Sequence, residues 1–224
     1  MVVRVLGGPL RGSYLAMHAL ERPSYALGRY ETGTITAVAA HGDGSVVYDI
    51  GANIGYTALA AAKTCREVHC FEAEPRTLEA LAWNVEHADA NNLTIVSKAV
   101  TDHCEGVAFA SFNYSLIGHI ERDSEPPDAE IVEVPSISID AYVESGNSAP
   151  DVMKIDVEGN ELKVLKGAEE TLRAHRPVVI CEVWRETLAD VTAFMASMSY
   201  SWVNLDGGFV LEVDGLTDLI FTHA

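Results

Sequence analysis

Short apolar runs alternate with amphipathic or alanine-rich segments along most of this chain. Val46-Val47-Tyr48-Asp49-Ile50, Val68-His69-Cys70-Phe71, Leu93-Thr94-Ile95-Val96, Asp151 to Asp156 and Pro177 to Val183 are too short for core helices and rich in β-branched residues, so they read as buried strands. Helical patterns lie between them. Tyr56 to Lys63 is rich in alanine. Pro75 opens a segment in which Leu78, Leu81, Val85 and Ala88 form one apolar stripe. Leu162, Leu165 and Leu172 share a face of a helix expected over Asn160 to Arg173, and Glu186 to Met198 predicts another. Strands joined through helices imply parallel pairing by right-handed crossovers. The ends differ. Val2 to Leu6 and Ser13 to Met17 flank Gly7-Gly8-Pro9 as a small hairpin, followed over 18–44 by a helical or irregular lead-in. Trp202 to Leu205 and Phe209 to Leu211, around a turn at Asp206-Gly207-Gly208, predict a terminal hairpin that Leu219 to Phe221 would extend. Within 101–136, Val107-Ala108-Phe109 and Ile131 to Val134 predict strands around a polar stretch containing Pro126-Pro127, read as a mobile loop. Ser138 to Tyr142 starts a short helix. The fold class is α/β: a three-layer, doubly wound, mainly parallel sheet over 45–224, with a small N-terminal cap over 1–44.

Composition agrees with one folded domain. The 224 residues, 48% apolar and 21% charged, can bury a sizeable core and exclude wholesale disorder. No apolar run approaches the roughly 18 to 20 residues that a bilayer span needs. Met1 to Tyr14 carries Arg4 and Arg11 among glycines and lacks a charged-then-apolar leader, so no secretory signal is expected, and the sequons at Asn92 and Asn113 carry no weight. Lys and Arg number 15 against 33 Asp and Glu, a net charge of −18, and the basic residues are scattered. Nucleic acid and anionic membranes are therefore not expected as partners. Cys65, Cys70, Cys104 and Cys181 contain no CxxC pair and suit small buried thiols in a reducing, cytoplasmic compartment.

In an open parallel sheet, ligands bind beyond the carboxyl ends of the strands, where strand order reverses. The strands deliver four acidic positions there: Asp49 before Gly51-Ala52-Asn53-Ile54-Gly55, then Glu72, then Asp156-Val157-Glu158-Gly159, then Glu182. A core does not require carboxylates at these places. Gly51 and Gly55 let the backbone turn sharply and approach a ligand, and the helix start after Gly55 presents N–H groups that favour a carboxylate. Asn53 stands where the dinucleotide fingerprint needs its middle glycine, and would crowd a pyrophosphate. Asp49 suits a cationic ligand. Glu72, about 20 residues past Gly51, suits a ribose diol. A cationic nucleoside that carries a carboxylate and no diphosphate meets all of these demands, and S-adenosylmethionine is one.

Three stretches resemble the FkbM-type family of class I S-adenosylmethionine-dependent methyltransferases: Asp49-Ile-Gly-Ala-Asn-Ile-Gly-Tyr-Thr57, Phe71-Glu-Ala-Glu-Pro75, and Lys154-Ile-Asp-Val-Glu-Gly-Asn-Glu-Leu162 followed by Leu165-Lys-Gly-Ala168. The resemblance covers roughly residues 28 to 184. It implies a Rossmann-like methyltransferase fold, a seven-stranded sheet with a reversed C-terminal hairpin, and O-methylation of a small molecule, sugar or glycan. By that similarity Asp49, Gly51, Asn53 and Gly55 wrap the methionine part, Tyr56 and Thr57 offer donors to its carboxylate, Glu72 takes the ribose hydroxyls, and Ala99 offers backbone contacts to adenine. Family members commonly read Phe-Glu-Pro, whereas Ala73-Glu74 stand before Pro75, so the contact of Ala73 at the adenosine edge is expected to differ. Tyr30-Glu31 resembles a pair upstream of the family's first strand, and Glu31 is expected to close over the site. For catalysis the expected groups are Asp156 as base, Glu182 reaching the same space, and Glu158 two residues on. Two neighbouring carboxylates raise one pKa, which suits a base. They could also hold a divalent ion, but no Asp-Asp or His-rich set accompanies them, so a metal is not favoured and none is assigned. Lys154 either pairs with an acid or snorkels. His103, His119, Tyr114 and Trp184 are weaker candidates. The expected partner is a small hydroxylated acceptor, with oligomeric state open. The competing readings are a macromolecular (protein or RNA) methyltransferase, a catalytically silent nucleoside-binding module, and a nicotinamide oxidoreductase, which Asn53 opposes.

Overall fold

Each short apolar run becomes a strand in the computed structural model of the chain, which describes residues 1–17, 23–112, 115–120, 129–205 and 216–223. The cap comprises the antiparallel hairpin β1 (Val2–Arg4) and β2 (Tyr14–Ala16), then α1 (Pro23–Leu27) and α2 (Thr32–Gly42). There follow β3 (Val46–Ile50), α3 (Tyr56–Ala61), β4 (Glu67–Phe71), α4 (Pro75–His87), β5 (Leu93–Val96) and the two-residue β6 (Ala99–Val100). Next come β7 (Val107–Phe112), β8 (Ser115–Ile120), β9 (Ala129–Val134), β10 (Ser136–Ile137) and α5 (Ile139–Glu144). The chain continues through β11 (Val152–Ile155), α6 (Glu161–Lys166), α7 (Glu169–His175), β12 (Val178–Trp184), α8 (Leu188–Ser197), β13 (Tyr200–Asn204) and β14 (Leu216–His223).

The main sheet has seven strands in the order β13-β14-β12-β11-β3-β4-β5, and β14 runs antiparallel to both of its neighbours. Side chains alternate across it, as the two-residue period requires. Tyr48, Ile50, Met153, Ile155, Val179 and Cys181 face a core closed by α5 to α8. Val47, Val68, Cys70, Val152 and Ile180 face a second core closed by α2, α3 and α4. This is the three-layer, doubly wound arrangement. The order reverses between β3 and β11, so the crevice lies beyond their carboxyl ends. The cap packs Val5, Leu15 and Tyr25 against Ile54, Tyr56 and Leu59. Asn84, fully buried on α4, ties the cap to the turn after β3: its amide accepts from Ala16 N–H at 2.6 Å and donates to Ala16 O and Ile54 O at 3.0 and 2.8 Å.

Three elements depart from expectation. The single helix over Asn160 to Arg173 is two, α6 and α7, separated at Gly167, where a Cβ would lie 2.2 Å from the Thr101 carbonyl oxygen. The loop expected between the strands near 107 and 134 contains β8, and β8-β7-β9 form a three-stranded antiparallel sheet. The C-terminal return strand is the whole of β14, eight residues long, while Phe209 to Leu211, like Tyr114 and Pro126-Pro127, lies outside the described residues. Cys65, Cys70 and Cys181 are buried free thiols and Cys104 is exposed. No described helix is long and apolar enough to cross a membrane.

Candidate active site

The turn after β3 has the shape its sequence demands. Gly51 has φ +76°, and a Cβ there would sit 1.8 Å from Asp156 O; Gly55 has φ +84° and would drive a Cβ to 2.5 Å from Leu81 Cδ1. Asn53, at φ +51°, is a residue type that tolerates the left-handed region. Glu72, one residue past β4, braces the turn. Its Oε2 accepts from Asn53 N–H and its Oε1 from Ala73 and Glu74 N–H, each at 2.8 Å. A carboxylate offers about four acceptor positions, so roughly one remains. Burial pushes the Glu72 carboxyl up, and the three N–H donors pull it back.

Behind the turn, Lys154 is buried at 5% exposure and Asp49 at 1%. Lys154 Nζ donates to Gly51 O at 3.0 Å and to Asp156 Oδ2 at 3.3 Å, and lies 3.3 Å from Asp49 Oδ1. The last contact pairs the charges without hydrogen-bond alignment, and both Asp49 oxygens lack a hydrogen-bond partner among the described residues. Burial raises the Asp49 carboxyl to about 6 against the lowering effect of Lys154. Lys154 is thus an ion-pair partner and not a snorkelling side chain.

Two hollows open beyond the strand ends. The larger, about 620 Å³ including space open to solvent, is walled by Gly51, Asn53, Glu72, Ala73, Ala99, Asp156 and Glu158, all expected there, and by Lys98, Phe109 and Ile120, which were not. The smaller, about 250 Å³, is walled by Glu31, Thr34, Lys154, Asp156, Ile180, Glu182 and Asp218. Asp156 belongs to both. Several expected groups are turned elsewhere. Asp49 lies behind the turn. The Tyr56 ring packs edge-on to Tyr25 and Tyr30, at 5.5 and 5.8 Å between centroids. Thr57 Oγ1 donates to Glu31 Oε2 at 2.8 Å, which ties α3 to a residue held at φ +43°. The Ala99 N–H is given to Pro135 O at 2.9 Å, so Ala99 brings no free amide donor to the cleft. His103 is exposed beside Asp102 at 2.9 Å. Alternation along β7 carries a signal for Phe109; the weak strand pattern of β8 carries none for Ile120.

Glu182 is raised to about 9, by burial first and then by Asp156, with which it shares a hydrogen bond, and by Asp218 and Glu158. Oxygens of Asp156, Glu158 and Glu182 lie within 4.8 Å of one another, a spacing that oxygen ligands of a hard cation could adopt. The Lys154 ammonium beside Asp156 opposes a second cation there.

A doubly wound sheet with its last strand reversed, and a glycine turn braced by an acid from the next strand, define a Rossmann-like methyltransferase fold. Among solved structures, a methyltransferase FkbM from Methylobacillus flagellatus KT is similar at a TM-score of 0.59 and 21% identity, over 80% of this chain and 44% of that one. The precorrin-6y C5,15-methyltransferase of Geobacter metallireducens GS-15 is similar at 0.56 and 12% identity, over 93% and 94%. Residues 49–202 match the Methyltransferase FkbM domain, and the chain belongs to that family. It is 30% identical over 136 residues to the hexuronic acid methyltransferase AglP of Haloferax volcanii, which covers 60% of this chain and 54% of AglP. The chain thus spans about half the length of the curated relative.

Proposed function

We propose that the chain is an S-adenosylmethionine-dependent O-methyltransferase acting on a hydroxyl group of a small molecule, with a sugar as the acceptor class. The observation that carries this reading is the position of Asp156, on the wall of both hollows, because in-line transfer requires donor and acceptor to meet at one point. The name of the Haloferax relative supports a sugar acceptor.

The residues present fit such a cofactor. Glu72 keeps an acceptor position for a ribose hydroxyl, and Asn53, on the wall of the larger hollow, stands where a dinucleotide turn needs a glycine. When bound, the cofactor supplies a methyl group already activated on a sulfonium. Asp156 accepts the proton of the attacking hydroxyl. Glu182 keeps its own proton and, through its hydrogen bond, orients Asp156. General-base assistance of this kind contributes about 10²–10⁴ in rate.

Titration calorimetry with S-adenosylmethionine and with NAD is the first test: binding of the former alone is expected, and binding of NAD alone would overturn the reading. Asp156→Asn should leave the cofactor Kd within about twofold and lower turnover at least about 100-fold, measured as S-adenosylhomocysteine release over a panel of sugars. Unchanged turnover would remove Asp156 from the chemistry.

A further inference from the structure

One wall of the larger hollow does not come from the main sheet. Phe109 on β7 stands opposite Ile120 on β8 and Val132 on β9. Directly opposed residues share a face, and the two-residue period adds Val107 and Ser111 to it. This face turns inward: Val107 and Phe109 pack with Ala73, Ala99 and Val134, and Phe109 and Ile120 line the hollow. They do so where Lys98, Ala99 and Val100 close it, after β5. β5 lies two strands from β3 in the sheet, so this end is about 10 Å from the glycine turn, with Glu72 between.

The added sheet is fixed to that end at two points. Ser111 Oγ donates to Glu74 Oε1 at 2.6 Å, and Glu74, 3% exposed, caps α4 by accepting from Thr77 N–H at 2.7 Å. β10, which follows β9, pairs in parallel with β6, and Ala99 and Thr101 N–H donate to Pro135 O and Ile137 O at 2.9 and 3.1 Å. The exposed Arg76–Glu130 pair adds little. Glu74 is also where the sequence departs from the family's Phe-Glu-Pro pattern.

A nucleoside whose ribose meets Glu72 extends its base toward the β5 end, where the walls are aromatic and aliphatic. Aromatic stacking on a base contributes enough to hold it without reading its edges. We propose that the added sheet is the base clamp of the cofactor: Phe109 and Ile120 cover the adenine, and Glu74, acting through Ser111, positions them. This rests on the cofactor reading above.

Calorimetry with S-adenosylmethionine and with 5′-methylthioadenosine, which keeps base and ribose but lacks the methionine end, tests it. Phe109→Ala should weaken both ligands by a common factor of about ten, and Phe109→Leu, which keeps apolar bulk but loses the ring, by a smaller common factor with a melting curve like the wild type. Ser111→Ala should weaken both by a smaller common factor, and adding it to Phe109→Ala should bring no further loss. If the wild type binds neither nucleoside, the cofactor reading itself fails. If it binds both and Phe109→Ala leaves both constants unchanged, only the clamp fails. A variant that raises the acceptor KM while nucleoside binding stands would give this wall to the acceptor and overturn the clamp.

Discussion

Burial first, and then the neighbouring carboxylates of Asp156, Asp218 and Glu158, push the Glu182 carboxyl up to about 9, so it holds a proton at neutral pH. The sign of the consequence follows from linkage. Its folded pKa of about 9 lies above the ordinary 4.5, so between those values the folded state binds the extra proton. The stability tied to this group is therefore complete below about pH 4.5 and is lost as pH climbs toward 9. Glu182→Gln cannot ionise and should remove that decline. Melting curves should show wild type and variant close together at pH 5 and the variant on the order of 10 °C higher at pH 8, since nearly one unbalanced proton over three pH units amounts to roughly 4 kcal/mol in a domain of this size. An equal gap at both pH values would assign the effect to packing. At this scale the sequence is half legible. It puts acids at four strand ends, which survives folding. It leaves Lys154 open between pairing and snorkelling, because only the alignment of β11 beside β3 brings Asp49 to 3.3 Å. It also offers the N–H or hydroxyl of Thr57 to a ligand, and of these the hydroxyl is taken by Glu31, a residue of the cap.

Elements are legible where one segment carries its own periodicity. The five central strands and the helix from Pro75 fall where their patterns put them, since burial on both faces or on one stripe is written locally. Elements that exist through distant partners are not. β8 contains Ser115, Gly118 and His119, a weak strand pattern, and forms because β7 lies beside it. β14 extends well past Leu219 to Phe221 because it fills the slot between β12 and β13. The break between α6 and α7 has the same kind of cause: Leu162, Leu165 and Leu172 satisfy one helix, yet the Thr101 carbonyl crosses at Gly167. Gly167 has φ −71°, so its conformation alone would admit alanine, and propensity would favour that change by up to about 1 kcal/mol. With a Cβ placed 2.2 Å from Thr101 O, Gly167→Ala is instead expected to lower stability by about 1–3 kcal/mol, read from denaturant unfolding. A gain in stability would show that α6 and α7 break for another reason.

For the whole molecule, charge bears on the acceptor proposed above. The chain carries −18, and the smaller hollow concentrates that sign, with Glu31, Asp156, Glu182 and Asp218 on its wall. Lys154 is the one cation on that wall among the described residues, and it is shared by Gly51 O, Asp156 and Asp49. Even with Glu182 neutral, the recess keeps more negative than positive groups. The Haloferax relative is named for hexuronic acids, but a uronate entering this recess brings a further negative charge and meets no free ammonium or guanidinium on the described wall. Like charges about 4 to 6 Å apart at a partly buried site repel by more than the few tenths of a kcal/mol typical of well-screened surface pairs. A neutral sugar, or one bearing an amine, avoids that repulsion. In an assay of S-adenosylhomocysteine release, a neutral hexose should therefore have the higher kcat/KM than the matching hexuronate. Salt separates this from a difference in shape. The Debye length shrinks from about 14 Å at 0.05 M to about 4 Å at 0.5 M, so the KM of the uronate should fall over that range while that of the neutral sugar stays level. A uronate that is the better acceptor at low salt, and whose KM rises as salt is added, would mean that a cation outside this wall receives it.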